Sequence, residues 1–474
     1  MFNQKKKNIE RLKKSFGEIK DDIFDFKMIG KYFKNKDNSK AFQILSDKTC
    51  NDLDFNELFL FLDRTHSKIG QQYLYNRLRT ISPNKEQTQI EERIIEKLAT
   101  DENFRLSVQT RLEKLNKYDA YHISTLFQEK HRKPPKWFLA VKLLSFTSLL
   151  SLILGFFNPM FFMVLLVVFI INLGIHFWNK QNLTQYVNSI PQLLKLNNIA
   201  AHLFANEHLK EINPSLSKSI KVINEVKQRM SFFQLETNLQ GEFQTIVWSV
   251  FELFKTLFLL EPLLLFGVLK RLNTKRSEIE NVFEFVGKTD MLISIASLRK
   301  GLDVYCKPKI ETKNEIIADE IYHPLIPKCK TNSITISEKS VLLTGSNMSG
   351  KTSFIRAVGL NIITGLTLNT CFAKSISFPL MRIFSAIRIS DDLMNDKSYY
   401  FEEVLTIKEM ITESTSEVRN LFLLDELFKG TNTVERISAG KAVLSSLSKN
   451  DNIVLVSTHD IELADMLSKE YELY

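Results

Sequence analysis

SVLLTGSNMSGKTSFIRAVGLN, residues Ser340–Asn361, decides how the last third of this 474-residue chain folds. The apolar run Val341-Leu342-Leu343 predicts a strand, and Phe354, Ile355 and Val358 at helical spacing predict a helix. Between them, Gly345 to Thr352 match G-x-x-x-x-G-K-[ST]. Strand, glycine loop and helix in that order make a phosphate cradle. Gly345, Ser346, Asn347, Met348, Ser349, Gly350, Lys351, Thr352 and Ser353 form the predicted nucleotide-binding set. Their backbone N–H groups, backed by the positive end of the helix, surround phosphate oxygens without needing side chains. Lys351 adds a point charge for the β- and γ-phosphates, and Thr352 offers a hydroxyl to Mg²⁺. The expected ligands are ATP and Mg²⁺.

Working outward, the metal side needs an acid. Leu421-Phe422-Leu423-Leu424-Asp425-Glu426 is an apolar strand ending in two carboxylates. Asp425 is the candidate second metal residue, and Glu426 is placed to polarise an attacking water. Such an acidic strand end is weak by itself and strong downstream of a glycine loop. The run Asn452–Asp460, NIVLVSTHD, predicts another strand ending in a polar switch, where His459 is a candidate sensor of the γ-phosphate.

The most unusual stretch lies upstream, from Trp137 to Trp178: WFLAVKLLSFTSLLSLILGFFNPMFFMVLLVVFIINLGIHFW. Lys142 is its one Lys, Arg, Asp or Glu, and Asn158-Pro159 divides it into two segments of about 20 residues, each long enough for a hydrocarbon core of roughly 30 Å. Tryptophans close both ends, and Lys130, Arg132, Lys133, Lys136 and Lys180 flank them. A transmembrane hairpin with both ends cytoplasmic is therefore expected, with membrane lipid as its partner. The alternative, a buried helical pair in a soluble domain, suits the run less well because it lacks a polar face. A second apolar stretch, Ile246 to Leu269, carries Glu252, Lys255, Glu261 and Pro262 and reads as a buried or interfacial helix.

Composition bounds the rest. Hydrophobic residues make up 44% and charged residues 25%, which excludes a disordered or collagenous chain. Fifteen Gly and 11 Pro against 36 Phe leave little loop-forming material and favour long helices. A net charge of +9 suits nucleic acid, anionic lipid or phosphate without choosing among them. Cys50, Cys306, Cys329 and Cys371 form no C-x-x-C pair, so neither a disulfide framework nor a zinc ribbon is expected. MFNQKKKNIERLKKSFGEIK has no apolar h-region, so no cleavable signal peptide is expected.

TGSNMSGKTSFIRAVGLN, LLDELFKGTNTVERISAG and VSTHDIEL resemble the ATPase domain of MutS-type DNA mismatch-repair proteins. Asn347-Met348 in the loop and the DE-x-x-[KR]-GT-x-T pattern carry that resemblance beyond generic ATPase grammar. It extends to His323-Pro324-Leu325-Ile326 and through FAKSISFPLMRIFSAIRISDDLMNDKSYYFEEV (Phe372–Val404), covering about Ile310 to Leu467. More weakly, Asp52–Asn84 is similar to the start of the family's helical core. The resemblance implies a homodimer closed by ATP, in which Ser398, followed by Glu403, meets the γ-phosphate bound by the other subunit. It also implies DNA as a ligand. The family's mismatch-reading domain has no counterpart before Asp52, so mismatch specificity is not expected, and the helix-turn-helix dimerisation appendage of many relatives has none after His459.

The expected fold class is α+α/β: a mostly helical N-terminal core with a transmembrane helical hairpin, followed by a P-loop α/β ATPase domain. The expected divisions are a basic arm (1–50), a helical core (51–136), the hairpin (137–178), a helical lever (179–304) and the ATPase domain (305–474). The expected function is a membrane-anchored ATPase acting as an ATP-gated dimer, with DNA binding and repair-related activity implied by the resemblance. The alternative is a membrane-associated mechanical or scaffold ATPase with no DNA role. A transporter subunit is less suited, because two crossings per chain make a small pathway.

Overall fold

The computed structural model describes residues 2–228, 230–233, 245–346, 349–387, 399–428 and 431–474. Continuous apolar runs form a five-stranded, all-parallel sheet. Its order is Tyr471–Leu473, Ser340–Leu343, Ile453–Ser457, Asn420–Asp425 and Arg382–Ala386. The three middle strands are buried almost throughout, as expected where helices cover both faces. Their alternating side chains split between two cores. Val341, Leu343, Leu421, Leu423 and Leu455 share one core with Ile355 and Val358 of the helix Lys351–Leu368. Leu342, Phe422, Leu424, Val454 and Val456 share the other with Ile407, Met410 and Leu444 from the helices Tyr399–Ser414 and Thr433–Leu447. The helix Lys351–Leu368 lies so close that a Cβ on Gly359 would come within 2.5 Å of Leu423 Cδ1. A second sheet, ordered Lys309–Glu311, Ser375–Pro379, Ile316–Ile321 and Asn332–Ile336, completes this part.

The helical body is built around Arg276–Lys300, a 25-residue helix buried along most of its length against Lys68–Arg79, Lys85–Thr100 and Leu216–Asn224. Asp290 anchors it to the start of Lys68–Arg79. Its Oδ1 accepts from His66 N at 2.9 Å, and its Oδ2 accepts from Ser67 N at 2.8 Å and Ser67 Oγ at 2.5 Å. Residues near the N-terminus belong to this body, since Ile29 and Tyr32 are fully buried and Gly17 N donates to Ser297 Oγ at 2.9 Å.

Short polar clamps join body and sheet. Gln43 makes two hydrogen bonds with the backbone of Ile383, donating to its O at 2.7 Å and accepting from its N at 2.9 Å. Asp52 Oδ2 accepts from Ser385 Oγ at 2.7 Å and Ile387 N at 3.0 Å. Arg356, one turn into the helix after the glycine loop, donates to Asp54 at 3.0 Å.

The stretch from Trp137 to Trp178 forms a helical hairpin. Phe138–Gly155 and Met160–Phe204 are both long and apolar enough to cross a membrane, by length and composition, and only 22% and 17% of their most apolar windows are buried. Asn158 Oδ1 accepts from Met160 N at 3.0 Å, tying the turn to the start of the second helix. That helix continues unbroken for 45 residues into the body, where Leu183, Ile190 and Leu193 are fully buried. The polarity of the hairpin is inverted. Ser148, Ser151, Asn172, His176 and Asn179 are buried, while Phe156 and Phe157 are 80% and 84% exposed. The Trp137 and Trp178 rings meet edge to face with centroids 5.0 Å apart.

The second apolar stretch, expected as one helix, is two: Thr245–Leu257 and Leu260–Leu272. Leu259 between them is left-handed, with φ 49°. Pro262 lies in the first turn of the second helix, where its missing N–H costs nothing, and it disfavours carrying the first helix through this point.

Candidate active site

The candidate site lies along the carboxyl edge of the parallel sheet, where such folds place their ligands. Register puts Ser457 beside both Leu343 and Asp425, so three strands end level with one another. The loop leaves Ser340–Leu343 through Gly345 at φ 145° and enters the helix through Gly350 at φ 93°. Both values lie in the region that favours glycine, which is the residue the motif has at these two positions. Lys351 Nζ folds back onto the loop, donating to Gly345 O at 2.8 Å and Ser346 O at 3.0 Å.

Thr352 Oγ1 donates to Asp425 Oδ2 at 2.9 Å, bringing together the two residues read from sequence as the metal pair. A hydroxyl and a carboxylate are hard oxygen donors of the kind Mg²⁺ takes, and their spacing allows one cation to reach both. Asp425 Oδ1 is held from the other side by Ser457 Oγ. One residue on, Glu426 adopts φ 50°, its N–H donating to Ser457 O at 2.9 Å. This left-handed turn sends its side chain to His459, whose Nε2 lies 2.8 Å from Glu426 Oε1. Both side chains are about one-third exposed, so they face an accessible space rather than the core.

Asn347 and Met348 of the loop, and Ser398 with Ser390, Asp391 and Asp392, lie outside the described residues. Glu403 is described and is fully buried, accepting from Phe428 N at 2.6 Å, so it supports the turn after the acid pair.

Three contributors escaped the sequence reading. Ser457 orients Asp425, and the signal available was its place as the last residue of the strand before Thr458-His459. Arg436 grips Asp460 with two of its nitrogens, Nε donating to Oδ2 at 2.8 Å and Nη2 to Oδ1 at 2.6 Å. That fork holds the Asp460 carboxyl below the usual carboxylate range and fixes the segment that carries His459. Asp54 reaches in from the helical body to Arg356, a contact across 302 residues that no local pattern announces.

Residues 341–473 match the family model of MutS domain V. The chain is 31% identical over 202 residues to the DNA mismatch repair protein MutS of Aquifex pyrophilus, covering 40% of this chain and 23% of that protein. It is 30% identical over 201 residues to the DNA mismatch repair protein MutS of Clostridium botulinum (strain Okra / Type B1), covering 40% of this chain and 21% of that protein. The chain thus spans less than a quarter of the length of these curated relatives.

Proposed function

We propose that this chain, whose residues 341–473 match the family model of MutS domain V, is a MutS-like ATPase that binds and hydrolyses ATP at the edge formed by Gly345–Ser353, Asp425, Glu426 and His459, and that it does so anchored in a membrane. The observation that carries the catalytic reading is the contact of Thr352 with Asp425, with Glu426 and His459 paired beside it. The loop amides and Lys351 would bind the triphosphate, Lys351 exchanging its two loop carbonyls for phosphate oxygens. Mg²⁺, held by Thr352 and Asp425, would supply charge neutralisation at the phosphates. Glu426 would orient the attacking water and take its proton, and His459 would hold that carboxylate in place and sense the phosphate end. Ser398 of a second copy would complete the site, so that ATP closes a homodimer and hydrolysis reopens it.

Membrane anchoring draws its support from the inverted polarity of the hairpin. Exposed phenylalanines and methionines on water-facing helices are costly at about 25 cal/mol per Å² of apolar surface, whereas lipid makes the same surface favourable. DNA binding and a repair-related role come from the relatives' names, and contacts of that kind would be mainly to phosphate. A second reading, in which the ATPase acts on the membrane rather than on DNA, is favoured by the short link Asn273–Lys275. It joins Leu260–Leu272, packed on the hairpin, to the axial helix Arg276–Lys300. The deciding experiment measures ATP hydrolysis by the full chain in vesicles, with and without duplex DNA. Stimulation by DNA supports the first reading. Dependence on lipid alone supports the second, and no hydrolysis in either condition sinks both.

A further inference from the structure

Of the two helices Thr245–Leu257 and Leu260–Leu272, the first carries the same inverted polarity as the hairpin beside it, while the second buries Leu265, Phe266 and Leu269. On the first, Val250, Leu253 and Phe254 are 49%, 53% and 47% exposed, while Lys255 and Thr256 are buried. The charges point inward and are matched. Lys255 Nζ lies 2.8 Å from Glu252 Oε2 and 2.8 Å from Glu261 Oε2, and Lys180 Nζ lies 2.8 Å from Glu252 Oε1. Glu261 also accepts from Asn179, and Asn172 Nδ2 donates to Leu257 O at 2.7 Å, next to the break at Leu259. Two lysines face two glutamates, and the carbonyl freed by the broken helix is taken up by a hairpin asparagine.

These partners fix how far the segment reaches. Lys180 and Glu252 lie near the tryptophan pair, whereas Leu257 meets Asn172, six residues and about 9 Å from Trp178 at 1.5 Å rise per residue. The hairpin turn at Asn158 is about 30 Å from Trp178 by the same measure, matching the thickness of a hydrocarbon core.

We propose that Thr245–Leu272 is a third membrane element, a re-entrant broken helix that dips about one-third of the way into the bilayer beside the hairpin and returns to the same side. Its outer face meets lipid acyl chains, and Lys255 with Glu252 and Glu261 forms its inner plug, with the exposed Lys180 balancing the second glutamate at the headgroup end. The proposal rests on the membrane reading of the hairpin. Lipid is the occupant, rather than a second copy, for two reasons. The exposed apolar residues wrap around the hairpin's second helix instead of forming one stripe, as the near-consecutive Phe162, Met163, Val164, Leu166 and Val167 illustrate. Exposed Lys130, Arg132, Lys133, Lys136, Lys270 and Arg271 also gather where the segments enter and leave, as anionic headgroups require. Irregular backbone at membrane depth is tolerated only where protein covers it, and Asn172 and Asn179 provide that cover.

The test uses the full chain with Trp137, Trp178 and Trp248 replaced by Phe and a single reporter introduced as Phe254→Trp, Leu253→Trp or Leu166→Trp. Each is placed in phosphatidylcholine–phosphatidylglycerol vesicles whose acyl chains are brominated near the headgroup or near the chain end. Leu166 lies about 18 Å from Trp178, close to the bilayer centre. The expected result is loss of emission from Leu166→Trp chiefly with deep bromines, and from Phe254→Trp and Leu253→Trp chiefly with shallow ones. Quenching of Leu166→Trp with both segment reporters unquenched overturns the re-entrant assignment while leaving the hairpin in the membrane. If no reporter is quenched, the membrane reading itself fails and takes this inference with it.

Discussion

His459 and Glu426 face each other across 2.8 Å from the ends of two adjacent parallel strands, although 33 positions separate them in the chain. The pairing depends on the left-handed backbone at Glu426, which turns the second acid of the strand away from Asp425 and toward the neighbouring loop. One strand end therefore presents two carboxylates in different directions, Asp425 to Thr352 and Glu426 to His459.

Glu426→Gln keeps the shape and removes the base. ATP binding should persist while turnover falls by about 10²- to 10⁴-fold, the usual contribution of a positioned general base. Single-turnover hydrolysis beside a binding titration separates the two effects, and near-normal turnover would reject the assignment. His459→Ala should lower turnover less, since the carboxylate remains.

Lys351→Ala removes a cation whose only described partners are the carbonyls of its own loop. The fold should tolerate it, with the unfolding temperature unchanged, while affinity for ATP falls at least tenfold. Calorimetric titration with ATP and a thermal melt check both halves of the expectation.

Asp290 and His66 predict an unusual pH response. Burial raises the Asp290 carboxyl to about 7 against the pull of its Ser67 and His66 hydrogen bonds, and burial lowers the His66 imidazole to about 4. The folded state thus binds a proton at Asp290 that the unfolded chain releases above about pH 4, so this group alone makes stability fall as pH rises from about 4 to 7. His66 acts oppositely, because the unfolded imidazole takes a proton below about 6.5 that the folded one refuses. The two slopes, each up to about 1.4 kcal/mol per pH unit, oppose one another over most of that range. Asp290→Asn removes one of them, so the variant should lose stability on acidification more steeply than the parent. Urea unfolding at pH 4.5, 5.5 and 6.5 measures this, and parallel curves for the two proteins would reject it.

Lys255 is a fully buried ammonium with carboxylates on two sides. Lys255→Met would leave Glu252 and Glu261 without that counter-charge, and breaking a buried pair from one side typically costs about 3–5 kcal/mol. A marked fall in thermal stability in detergent or vesicles is expected. The double variant Lys255→Met with Glu261→Gln should recover part of it, which a double-mutant cycle reads directly.

What the sequence by itself determined is local. Apolar runs ending in Thr344-Gly345, Asp425-Glu426 and Ser457-Thr458-His459 already spell strands that finish in polar chemistry, because strand burial and turn geometry are written within a few residues. The hairpin was equally legible, since Asn158-Pro159 interrupts an apolar run of the right length. Only the tertiary structure decided which of these ends meet: that Thr352 touches Asp425, that Ser457 holds that acid, and that Asp54 reaches Arg356. It alone also turned Asn172 and Asn179 inward and set Lys255 between two glutamates, where the sequence shows charges in an apolar stretch. The physical reason is that periodicity reports the backbone's own repeat, whereas hydrogen bonds and ion pairs between distant segments depend on how the faces pack, and packing is a property of the whole chain.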